Sequence, residues 1–209
     1  MARGIRQQGK KKRILVLCDG ESEITYSKLV VSSYNVNKNS VTVVNKPFKN
    51  LGNMLAELES RKPEKKEILK YEEIHLICDK EKLSNKSRQA SYEKFVAGVN
   101  GMRKTFGSTA IKIITSFPAF EFFLSLHFPI KDNEFKKLHT DKELIELLSG
   151  QQKNYAKGNE KWLKDAIFSR NPEEKIKQAI ERASKIKPSD NNSWSNVFET
   201  VRQIINNSN

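Results

Sequence analysis

Ile14-Leu15-Val16-Leu17-Cys18 is an unbroken apolar run of strand length, closed at once by Asp19-Gly20. A half-exposed strand alternates apolar and polar residues; this one does not, so it reads as a strand buried on both faces of a parallel sheet. Glu21-Ser22-Glu23 then places acids at the start of a helix expected to run to about Tyr34, where they complement the helix dipole. Further strands are expected at Val41–Val44, Ile74–Cys78 and Ile111–Ile114. Helices are expected over about 48–60 (Leu51, Met54, Leu55 and Leu58 on one face), about 88–104, and Ala119–Phe128. Strands alternating with helices at these intervals predict βαβ units: an α/β fold with a mainly parallel sheet of about four strands flanked by helices.

From residue 141 onward the pattern is helical. Ile176, Ala179, Ile180 and Ala183 form one stripe, and Trp194, Val197, Phe198, Val201, Ile204 and Ile205 another. The expected organisation is a basic arm over 1–13, an α/β core over 14–130 and a helical region over 131–209 packed on that core. A charged fraction of 30% beside a hydrophobic fraction of 37% suits a folded, well-solvated protein. No stretch reaches the roughly 18 apolar residues that span a bilayer. Without a signal-like leader, the expected location is the cytoplasm. Cys18 and Cys78 each close an apolar run and read as buried thiols; the scattered histidines and paired cysteines lack zinc-finger spacing. There is no G-x-x-x-x-G-K-[ST] loop and no G-x-G-x-x-G turn, which leaves a nucleotide sensor unsupported.

The net charge of +13 is concentrated at the start of the chain. Residues 1–13 hold Arg3, Arg6, Lys10, Lys11, Lys12 and Arg13 and no acid. Lys10, Lys11, Lys12 and Arg13 are therefore candidate nucleic-acid contacts, the alternative being a solubilising tail. Within this basic chain, two strands end in acids: Asp19 on the first, Asp79 with Glu81 on the third. Open α/β sheets bind ligands outside the carboxyl ends of their strands. As neighbours about 4.8 Å apart, the two strands would bring these carboxylates onto one hard cation, Mg²⁺ or Mn²⁺. The competing reading is local: Asp-Gly is common turn chemistry, and each Asp could simply cap or end its element. Glu121, inside the apolar segment Phe120–Phe128, is costly to bury unless it faces a polar site; it points either to the acidic strand ends or to a solvent stripe. His127, on another face, reads as a satisfied core or capping residue.

These segments together resemble the RloB family. The residues that carry the likeness are Asp19-Gly20-Glu21 with Glu23 and Tyr26, Asp79 with Glu81, and Ser116-Phe117-Pro118-Ala119-Phe120-Glu121 through Leu126-His127-Phe128. Tyr155-Ala156-Lys157 and the helix with Ala179 and Ala183 also fit. The family is similar to Toprim domains, where a glutamate after the first strand and an Asp-x-Asp after the third bind Mg²⁺. The resemblance thus implies a Toprim-like fold with Asp19, Asp79 and Glu81 as metal ligands, Glu21 and Glu121 as second-rank participants, and Glu21 or Glu23 to supply reach that Asp19 lacks. Asp19 is one methylene shorter, and Glu81 one longer, than that pattern. It implies a nuclease acting on nucleic acid in prokaryotic antiphage defence, or else a non-catalytic adaptor partnering an ATPase.

Overall fold

The computed structural model describes residues 12–61, 70–80, 86–130, 138, 140–189 and 192–208. The first half is built from β1 (Ile14–Cys18), α1 (Glu21–Ser33), β2 (Val41–Val43), α2 (Leu51–Ser60), β3 (Glu73–Asp79), α3 (Lys86–Met102), β4 (Ala110–Phe117) and α4 (Phe120–Ser125). It continues with α5 (Asp141–Gln151), α6 (Glu160–Leu163, running into a wider turn over Lys164–Phe168), α7 (Pro172–Lys185), β5 (Trp194–Ser195) and α8 (Val197–Asn206). The sheet order is β2-β1-β3-β4-β5. β1 pairs in parallel with β2 and β3, and β3 in parallel with β4. This is the mainly parallel α/β arrangement expected from the sequence, with one strand more.

That fifth strand corrects the reading of Trp194. It lies not on the last helix but on β5, antiparallel to β4 with Phe117 opposite it. The helical stripe begins only at Val197. Two residues of strand are too few to leave a periodic signal, and β4 supplies the partner that extends them. The segment expected as a helix over Ala119–Phe128 is helical only over Phe120–Ser125. Among the described residues no helix is long and apolar enough to cross a membrane.

The unbroken apolar run of β1 is explained by what covers each face. Ile14, Val16 and Cys18 pack with α1, α4, α7 and α8. Leu15 and Leu17 point the other way, toward Met54 and Leu58 of α2 and Phe95 and Val99 of α3. β3 divides likewise, Ile77 on the first face and Ile74, Leu76 and Cys78 on the second. Both cysteines are buried and free, as expected.

At the amino edge of the sheet a charge network replaces apolar packing. Glu73, its side chain 3% exposed, accepts from Lys12 at 2.5 Å, Lys112 at 2.9 Å and His75 Nε2 at 2.9 Å. The hydrogen bond from His75, ahead of the two lysines, holds Glu73 well below the usual carboxylate range despite its burial. Burial keeps His75 neutral, so with Nε2 donating to Glu73 its Nδ1 accepts from Thr200 Oγ1 at 2.9 Å. A depressed carboxylate stabilises the fold above its ordinary titration range, and that stability is lost as pH falls through the folded value. Glu73→Gln is expected to cost about 2 kcal/mol at neutral pH, because it replaces one of the two acceptor oxygens by a donor and removes the charge that both lysines meet. Urea unfolding at pH 7 and pH 3 checks this, with the difference between the proteins shrinking at the lower pH.

Of the basic arm, Lys12 and Arg13 are described, and this network involves the first of them. Lys10 and Lys11 lie outside the described residues. Lys12 is committed to Glu73, and the Arg13 amide donates to Glu72. Both sit before β1, at the edge of the sheet opposite Asp19 and Asp79, so neither reaches those acids. The edge on which Lys12 and Arg13 sit was not legible in the sequence.

Candidate functional site

β1 and β3 are sheet neighbours, with Cys18 opposite Ile77, and the Asp19 amide continues the ladder to Ile77 O at 2.9 Å. Asp19 and Asp79 therefore leave the same edge of the sheet side by side. Asp19 does not cap α1. The cap position of α1 is Gly20, which makes no side-chain cap bond, whereas α2 is capped by Asn50. Oδ1 of Asp19 and Oδ1 of Asp79 are both buried without a hydrogen-bond partner. Leaving two carboxylate oxygens so is expensive unless a cation or a proton joins them.

Two more acids face this edge. Glu121, on the first turn of α4, is 1% exposed and accepts from Tyr155 Oη at 2.7 Å, with Lys157 Nζ 3.4 Å from its other oxygen. Ser22 Oγ lies 3.5 Å from the same carboxylate and accepts the Gly158 amide at 2.9 Å. Of the two sequence readings, Glu121 thus takes the one that faces the strand ends. Glu23 is 4% exposed, and a Cβ added at Gly20 would lie 2.6 Å from its Oε2. A side chain at position 20 would push that carboxylate aside. Glu21, by contrast, is exposed and packs beside Gly158.

The signal that separates these two glutamates was in the sequence. Glu23, Tyr26, Ser27 and Val30 recur at helical spacing on the buried face of α1, and Glu21 falls off it. Both glutamates line the acidic cavity, and Glu23 is the one that is buried. Tyr155 and Lys157 come from the turn between α5 and α6, where no periodicity points anywhere; only the family likeness had drawn notice to them. Glu81 lies outside the described residues. His127 is a capping residue, as expected: Nδ1 lies 3.1 Å from Leu124 O, and Tyr26 Oη meets Nε2 at 2.8 Å. Burial lowers it to about 4, so it is a neutral imidazole that accepts the tyrosine proton.

Electrostatics follow from crowding. Burial first, then the Glu121 and Asp19 carboxylates, push Glu23 up to about 8, against the pull of Lys157. Burial, then Glu23 and Glu121, push Asp79 well above the usual range, and burial alone raises Asp19. Burial opposes the charge of Lys157, but Glu121 and Asp141 outweigh it, and its pKa is raised. Two lysines, Lys49 and Lys157, line this cavity with five acids, Asp19, Glu21, Glu23, Asp79 and Glu121, so negative charge is in excess. Among the described residues no three histidine, cysteine or acidic side chains already converge to hold an ion. The donor set nevertheless fits a hard cation: two orphaned oxygens, with Glu23 lining the same cavity.

A group whose folded pKa is raised stabilises the fold below its unfolded value, and that contribution disappears as pH climbs through the folded one. For Glu23 the window runs from the ordinary glutamate range to about 8. Thermal melting in EDTA from pH 5 to 8.5 is therefore expected to show a steeper decline for the native chain than for Glu23→Gln. Millimolar Mn²⁺ is expected to restore more stability at pH 8 than at pH 5.5, since the cation replaces the protons. Parallel melting curves for the two proteins would remove Glu23 from the cluster.

Two cavities open on the pair of aspartates. One, of about 360 Å³, is lined by Gly20 through Glu23, Glu121 and Lys157; the other, of about 530 Å³, lies toward α2 and α3, and both share Asp19, Lys49 and Asp79. Residues 14–207 match the family model described as RloB-like protein. No curated protein and no solved structure matches the chain.

Proposed function

The chain belongs to the RloB-like protein family, and from that premise we propose that it is a Mg²⁺- or Mn²⁺-dependent nuclease of Toprim type, serving as an effector in prokaryotic antiphage defence. The observation that carries this reading is the pair of buried, unpartnered oxygens of Asp19 and Asp79 at the carboxyl ends of adjacent parallel strands. Asp19 and Asp79 would hold the cation, with Glu81, two residues on in the sequence, as the third acid of the motif. When bound, the cation supplies charge for the phosphodiester oxygens and lowers the pKa of a water.

The chain's own groups divide the remaining work. Glu23, half-protonated near pH 8, holds or takes a proton beside the metal ligands. Tyr155 and Ser22 fix the Glu121 carboxylate, and Glu121 holds Lys157 at the mouth of the acidic cavity. There the ammonium meets an incoming phosphate. Incubation of single- and double-stranded DNA and RNA with Mg²⁺ or Mn²⁺, native chain beside Asp79→Asn, tests the proposal. Undiminished cleavage by the variant, or none by the native chain, overturns it.

One observation favours a second reading, a non-catalytic nucleic-acid-binding adaptor that partners an ATPase: the described acids do not already converge on one point. Titration calorimetry separates the two. The adaptor reading expects no Mn²⁺ binding that Asp79→Asn abolishes.

A further inference from the structure

The larger cavity is not needed to hold a metal. It lies between α2 and α3 and abuts Asp19 and Asp79, with Leu51, Leu55 and Phe95 contributing apolar surface. Its rim is basic: Lys49, Lys80 and Lys94 line it, and Lys49 and Lys94 have no acidic ion-pair partner among the described residues. Tyr92 stands on the wall, partly exposed, with Lys80 Nζ 6.0 Å from its ring centroid and its hydroxyl 3.1 Å from Thr115 Oγ1. The Lys49 amide is tied to Asp19 O at 3.0 Å, which holds the root of one basic side chain against the acidic strand end.

An aromatic wall, an apolar base and unneutralised lysines, about 530 Å³ in all, form a site of the size small ligands occupy. We propose that this cavity takes one unpaired nucleotide of a single-stranded nucleic acid, its base against Tyr92 and its phosphates on Lys49 and Lys94. The cavity abuts Asp19 and Asp79, so a strand seated in it runs close to those acids. A duplex keeps its bases stacked inside and offers only backbone to such a surface, whereas a single strand exposes a π-face that any aromatic ring can take. The inference rests on the nucleic-acid reading above, and deepens it by naming the strandedness of the substrate.

The test is binding without chemistry: fluorescence anisotropy of labelled 12-nucleotide single strands and of a matched hairpin duplex, in EDTA. Tyr92→Ala is expected to weaken single-strand binding about tenfold, within the range for one lost base stack. Tyr92→Phe, which keeps the ring and loses the hydroxyl, should bind within about twofold of the native chain on the same stacking argument. Duplex binding should not change. Lys94→Gln should reduce the slope of log affinity against log salt by about 0.7, one phosphate contact on a single strand. It is an exposed substitution and decides the matter alone should Tyr92→Ala not fold. No single-strand binding, an unchanged Tyr92→Ala, a Tyr92→Phe as weak as Tyr92→Ala, equal losses on the duplex, or an unchanged Lys94→Gln slope overturns the proposal. The expected pattern without cleavage under any metal would sink the nuclease and leave this site standing; cleavage with Tyr92→Ala binding unchanged would do the reverse.

Discussion

Asp79→Asn is expected to reduce metal-dependent cleavage by at least about a hundredfold, the order lost when reacting groups are displaced by about 1 Å, without unfolding the chain. Asparagine keeps the shape of the side chain and removes its charge, and Asp79 is one of only two acids among the described residues whose buried oxygen lacks a partner. The same substitution should make the metal-free protein more stable at pH 8. Asp79 is buried beside Glu23 and Glu121, and its neighbours already resist its ionisation. Removing a buried like charge should gain on the order of 1 kcal/mol, or about 2–4 °C in melting temperature for a chain of this size. Loss of activity together with a higher metal-free Tm is the signature of an acid kept for function at the expense of stability. Loss of activity with a lower Tm would instead mean that Asp79 holds the strand end together.

Phe123→Ala should be the most damaging core substitution, costing about 3–5 kcal/mol. Phe123 is fully buried, and its ring stands edge-on to Tyr26 with centroids 5.7 Å apart and to His127 at 5.4 Å. Phe120 lies 6.1 Å away. All six residues of α4 are buried, so no solvent-facing side can yield to close the cavity. Phe123 is two residues from Glu121, and loosening α4 releases the carboxylate that anchors Tyr155 and Lys157. Urea unfolding measures the loss, with Phe123→Leu expected to cost less than about 1.5 kcal/mol because most of the volume is kept. Equal and small effects of both would mean that the packing around Phe123 is loose enough to close over the lost ring.

Much of the architecture was legible because it follows from local patterns. β1 announces itself by an apolar run that two covered faces require, β3 and β4 by apolar segments interrupted at His75 and Lys112, α1 by its leading acids, and α2 and α7 by their helical stripes. Helix α4 was legible only in part. Its apolar residues fill every face rather than one stripe, so the pattern ran on to Phe128 while the helix stops at Ser125. Arg182 closes that end from α7, donating to Leu126 O at 2.7 Å and to Phe128 O. β5 could not be read, since a strand of two residues exists only by virtue of the edge it joins.

The acids divide in the same way. That Asp19 and Asp79 end strands is a property of the sequence, because an apolar run followed by a charged turn can hardly end elsewhere. That they end adjacent strands, and that their inner oxygens are left without partners, is a property of the sheet order, which inserts β3 beside β1 across a connection of more than fifty residues. The burial of Glu23 rather than Glu21 lay within reach of helical periodicity. The Glu121, Tyr155 and Lys157 arrangement did not, because it joins α4 to a turn over thirty residues away through hydrogen bonds that only packing creates. Patterns of period two and 3.6 determined which residues face inward; which inward-facing charges meet was decided by the order in which the sheet assembled its strands.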